Sequence, residues 1–149
     1  YLAGFRHDLS ENMTISLTGG VSYFDDQYRW SAVAELDHKL ENNEISIRAA
    51  RELVPSGFGG LTQNESLSFN TTYNYSEGTN MGLTASWRSN KSVNNFNTID
   101  NKFVGLSPWV SFEIFRDINL RLRYQLRRQN LGLTNELRIS TSFHISIEY

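Results

Sequence analysis

The sequence contains no cysteine, which excludes disulfide scaffolds, thiolate metal sites and cysteine nucleophiles. Long apolar runs are missing too, since no stretch of Ala, Val, Ile, Leu, Met, Phe, Trp or Tyr exceeds three residues. A spanning helix needs roughly 20 mostly apolar residues, so a helical membrane protein is excluded. Neither charge sign dominates. The 14 basic residues face 16 acidic ones, a formal net charge of -2, which leaves no global basic field for nucleic acid. No initiating methionine or signal peptide opens the sequence, so a mature or trimmed chain is expected. What the chain does hold is 13% aromatic residues, and 15 asparagines beside only two prolines, a balance that points to many turns. Its 149 residues suit one domain.

Residue order says more. From Leu137 to Tyr149 the odd positions Leu137, Ile139, Phe143, Ile145, Ile147 and Tyr149 are apolar or aromatic, with Thr141 the exception. The even positions Arg138, Ser140, Ser142, His144, Ser146 and Glu148 are all polar. A helix would mix these sets, whereas a strand puts them on opposite faces. The alternation recurs in Leu120–Arg127, Val104–Ile114, Met81–Arg88, Leu67–Ser76 and Thr14–Tyr23. Weaker versions cover Trp30–Leu40, Ile45–Leu53 and the residues before Ser10. Turn clusters separate them at Ser10–Asn12, Asp25–Gln27, Glu41–Asn43, Glu77–Asn80 and Arg116–Asn119. Three longer connections stand apart, Val54–Asn64, Ser89–Asn101 and Gln129–Asn135. The reading is all-β: an antiparallel meander of about nine long strands in one domain over residues 1–149.

Period two alone does not say which face meets water. A soluble sandwich or barrel buries its apolar face. A transmembrane barrel turns that face to lipid and lines its lumen with the polar one. Three features favour the membrane. The strands run about 8 to 13 residues, whereas globular strands average five to six and spanning strands need roughly 9 to 11. After an initial short pair, short and long connections alternate, as periplasmic turns and external loops do. Tyr23, Trp30, Tyr73, Tyr75, Trp87 and Tyr149 lie near strand ends on the apolar parity, where rings favour the lipid–water interface. Core aromatics are the plainer explanation of the same residues. The expectation is a transmembrane β-barrel in a Gram-negative outer membrane, in contact with outer-membrane lipid and lipopolysaccharide. The alternative is a soluble β-barrel or sandwich binding a ligand in an apolar interior, and a passive structural barrel is a third.

The segment from Phe143 to Tyr149 ends on an aromatic residue with apolar residues at each second position before it. It resembles the C-terminal signal read by the outer-membrane assembly machinery, which is thereby implied as a partner. The stretch Arg51-Glu52-Leu53-Val54-Pro55-Ser56-Gly57-Phe58-Gly59-Gly60-Leu61 resembles a loop of outer-membrane barrels associated with exopolysaccharide and exosortase (PEP-CTERM) loci. The following hairpin and the segment Arg127–Tyr149 are similar too, so the likeness spans about the fourth to the ninth strand. It implies a porin-like or export-associated protein, with polysaccharide as a partner and no catalytic residues. If Tyr149 is periplasmic, all odd strands descend and the first begins outside the cell. Complete single-chain bacterial barrels have an even strand number, so the C-terminal part of a larger barrel is expected. An eight-stranded barrel in which Tyr1–Leu9 does not span is the alternative.

On the expected lumen face, Arg121, Arg123, Arg127 and Arg138 lie on the last two strands, with Glu113 and Glu148 as the nearest acids. Glu35, Asp37, Lys39, Arg48, Glu52 and Arg88 lie further round. An arginine ladder in a narrow aqueous pore favours anions, because low-dielectric walls focus its field. An internal salt-bridge network that stiffens the wall is the equal alternative. Arg51 and Arg128 share the apolar parity but sit near strand ends. The histidines His7, His38 and His144 show no ligand spacing, so no metal and no cofactor are expected. Ser142, His144 and Ser146 share a face, but about 7 Å between same-face backbone positions argues against a direct Ser–His hydrogen bond. No enzyme activity is expected. Gly57, Gly59 and Gly60 form no phosphate loop, since no Lys-Ser/Thr or helix follows them.

Overall fold

Short polar turns force extended segments back along those before them, and the described residues of the computed structural model are almost all in strands. It describes residues 1–24, 27–55, 61–92, 100–116, 118–131 and 136–148. The calls on Asp25, Asp26, Gly57, Gly59, Gly60, Asp117 and Tyr149 lie outside the described residues, as does the side chain of Glu148. The strands are β1 (Leu2–Ser10), β2 (Met13–Phe24), β3 (Gln27–Lys39), β4 (Asn43–Pro55), β5 (Leu61–Ser76), β6 (Thr79–Ser92), β7 (Asp100–Phe115), β8 (Ile118–Leu131) and β9 (Glu136–Glu148). They form one sheet in chain order, each antiparallel to the next. Among the described residues β1 and β9 do not pair with each other. The sheet is open.

The turn at Glu77–Gly78 shows how tightly a hairpin can be specified. Gly78 has φ of 79°, and a Cβ there would lie 2.9 Å from Cβ of Glu113. The Glu113 N–H donates to the Gly78 carbonyl at 2.7 Å, tying this turn to the neighbouring strand. At the other end of the sheet the strands outrun the expected loops. β4 continues to Pro55, β6 to Ser92 and β8 to Leu131. Ladder hydrogen bonds join backbone groups whatever the side chains, so pairing continues past the apolar segments.

Directly opposed residues share a face, so register preserves parity along the strands, apart from shifts at Asp8/Ser10, Asn74/Ser76 and Glu113/Phe115 near the short turns. One row on the apolar side joins Tyr73, Met81, Val110, Leu122 and Ile145. Another joins Ile47, Phe69, Ala85, Leu106 and Leu126. No described residue covers these rows. Ile145 and Ile147 are 63% and 62% exposed, and Ala50 is the one buried hydrophobic residue among those described. The accessible surface is 10873 Å², against roughly 7,800 Å² expected of a compact soluble protein of this mass. The surplus is what a sheet without a second layer leaves bare.

Candidate functional site: the polar face

The polar face gathers charged side chains that are far apart in sequence. Ser16, Glu35, Arg48 and Ser68 form one cross-strand row. Arg48 Nε donates to Glu35 Oε1 at 2.9 Å and its Nη2 to Glu52 Oε1 at 3.3 Å. Ser16 Oγ donates to the other Glu35 oxygen at 3.3 Å. Toward the short-turn end, Lys39 pairs with Glu44 at 3.4 Å. These groups are about two-fifths exposed or more, so solvent screening holds each pair to roughly 1 kcal/mol or less.

Arg121, Arg123, Arg127 and Arg138 share this face by register. Register sets Arg123 between Trp109 and His144, and Arg127 between Gly105 and Ser140. Arg138 lies opposite Gln129. A hollow of about 290 Å³ is bounded by Arg121, Arg123, Gln125, His144 and Ser146. A second of about 390 Å³ reaches from Arg48 on β4 to Arg127 on β8, past Ser68 and Arg88. Glu113 is on the same face, opposite Asn119 and against the Gly78 turn, and forms no ion pair with the four arginines. The hydroxyl of Ser142 lies 2.9 Å from Nε2 of His144, which corrects the spacing argument. Their backbone positions are about 7 Å apart, but the imidazole is long enough to reach back along the strand.

Of the aromatic residues named from sequence, Tyr23, Trp30, Tyr73 and Tyr75 are exposed and Trp87 is half-buried. Tyr23, Trp30 and Trp87 lie toward the end with the longer connections, and Tyr73 and Tyr75 toward the other. The Tyr23 ring packs against Tyr28, tilted by 51° with centroids 5.0 Å apart, a contact that the sequence reading passed over. It also passed over Phe103 and Trp109, two aromatic rings on the polar face. Counting parity through Pro108 would have placed Trp109 with Ser107 and Ser111. A Cβ at Gly82 would come within 2.6 Å of the Trp109 ring, so the indole lies against that glycine. The Arg121 guanidinium is 4.7 Å from the ring centroid. No protein-family model, curated protein or solved structure matches this chain.

Proposed function

We propose that this sheet is wall of an outer-membrane β-barrel in a Gram-negative bacterium. Its apolar face lies against lipid, and its polar face lines a passage for anionic or hydroxyl-rich solutes, including polysaccharide. The observation that carries the proposal is the uncovered apolar face. On β7 it runs through Val104, Leu106, Pro108, Val110 and Phe112. Those five same-face positions span about 27 Å along the strand, or roughly 21 Å in height at a tilt of about 40°. Outer-membrane barrels carry an apolar band about 25 Å tall, flanked by aromatic girdles. Exposed rings at both ends of this face match that pattern. Planar guanidinium donors on the other face suit carboxylate, phosphate or hydroxyl groups. β9 serves as the segment handed to the assembly machinery, and porin-like passage or support of exopolysaccharide export is the cellular role.

One observation favours a ligand-binding soluble sheet instead. A depression of about 640 Å³ on the apolar face is lined by Tyr73, Met81, Pro108, Leu122, Tyr124 and Phe143. A soluble sheet folds without lipid; the proposed barrel does not. The test of passage is reversal potential in planar bilayers under a KCl gradient, with Gln at Arg121, Arg123, Arg127 and Arg138. Selectivity should move toward cations. An unchanged potential makes the ladder structural bracing, and an inserted barrel without conductance refutes passage.

A further inference from the structure

The apolar parity breaks at one end of the band. The row joining Arg51, Glu65, Ser89, Lys102 and Asn130 is polar across five adjacent strands and meets a large apolar side chain only at Leu137 on β9. The next row inward joins Ala49, Leu67, Trp87 and Val104, meets the charged Arg128, and continues to Ile139 on β9. Part of this polar margin is self-contained. Arg51 Nη2 donates to Gln63 Oε1 at 3.0 Å, and Gln63 Nε2 donates to Glu65 Oε1 at 2.8 Å. Arg51 Nη1 lies 3.7 Å from the same Glu65 oxygen, and the guanidinium sits 3.9 Å from the Trp30 centroid.

Lys91, Lys102 and Arg128 are different. All three are exposed, and none forms an ion pair with a described residue. They occupy three adjacent strands, each displaced by two residues from the position opposite the last. Diagonal neighbours of that kind are about 7–8 Å apart. Asp100 stands opposite Lys91 without pairing to it, and its Oδ1 is buried with no hydrogen-bond partner. Three close cations beside an apolar field make an amphiphilic site. An anion alone would gain only the exposed charges, and an apolar ligand only the surface of Leu67, Val104 and Leu106. A phosphorylated lipid gains both.

We propose that Lys91, Lys102 and Arg128 hold the phosphate groups of a phosphorylated glycolipid, lipopolysaccharide, whose acyl chains lie along the apolar band beneath. The inference rests on the barrel reading, which puts this end of the sheet in the outer leaflet. The full-length chain is folded into phosphatidylcholine vesicles, and insertion is recorded by heat-modifiable gel mobility. Binding is then measured for diphosphoryl lipid A, dephosphorylated lipid A and inorganic phosphate. Diphosphoryl lipid A should bind about tenfold or more tightly than the dephosphorylated form, as expected for charge-assisted contacts. Lys102→Gln with Arg128→Gln should remove that preference, while Lys39→Gln at the opposite end should keep it. Equal binding of the two lipids, or an unchanged preference in the double variant, overturns the proposal. Displacement of lipid A by inorganic phosphate at equal concentration makes the site a free-anion site and also overturns it. A chain that fails to insert overturns the barrel reading as well; insertion without phosphate preference overturns this inference alone.

Discussion

Arginine at Leu106 should block membrane assembly, while arginine at the adjacent Ser107 should not. Leu106 stands in mid-band on β7 between Ala85 and Leu126, and is 42% exposed. Ser107 points to the other face, opposite Thr84. A cation at the lipid-facing midplane costs about 2–4 kcal/mol. Losing the leucine surface that lipid would cover adds roughly 1 kcal/mol, taking the exposed share of a full burial worth about 1.5–3 kcal/mol. The sum, about 3–5 kcal/mol, lowers the inserted fraction by a factor of roughly a hundred to several thousand. The assay is urea-dependent insertion into vesicles, read by gel mobility, with a parallel sample in buffer without lipid. Equal losses at Leu106→Arg and Ser107→Arg would refute the face assignment. A folded sheet without lipid would refute the membrane reading itself.

Three further outcomes follow from local geometry, each read as a shift of the urea midpoint in the lipid-inserted state. Gly78→Ala should cost about 1–2 kcal/mol, because its left-handed backbone opposes any Cβ; an unchanged midpoint would refute that. Gly82→Val should cost about 1–3 kcal/mol and shift Trp109 fluorescence, since a Cβ there meets both the indole and the Thr71 carbonyl. A silent substitution would mean that the indole does not lie on this glycine. In a double-mutant cycle of Glu35→Gln and Arg48→Gln, the coupling should stay below about 1 kcal/mol for a pair this exposed. Coupling well above that would show a drier polar face.

Strand existence and facing were legible in the sequence because period two is a local property. Leu137 to Ile147 reveals its two faces with no knowledge of its neighbour, and so do Arg121, Arg123 and Arg127. What a strand touches is not local. Arg51 and Glu65 meet because β4 and β5 pair in one particular register, and nothing in either strand alone specifies it. Trp109 was missed because Pro108 interrupts the run of obvious apolar residues, although parity counts through a proline unchanged. The Ser142–His144 contact was misjudged because backbone spacing ignores side-chain length. Strand ends were set too early in three places, where side chains lose their alternation but ladder bonds continue. Nor does alternation say whether the first and last strands meet, which depends on curvature summed over the whole sheet.

Among the described residues every strand touches only its neighbours in the chain, with no contact that skips one. Such a sheet is mechanically a series of zippers. A load applied at Tyr1 acts first on β1, whose nine residues are all exposed and which, among the described residues, pairs with β2 alone. When β1 peels away, β2 becomes the edge with its pairing to β3 intact, and the remaining pairs feel no change. Rupture should therefore advance one strand or one hairpin at a time, with stability summed over nearest-neighbour terms as in a linear repeat array. A force–extension trace would record a staircase.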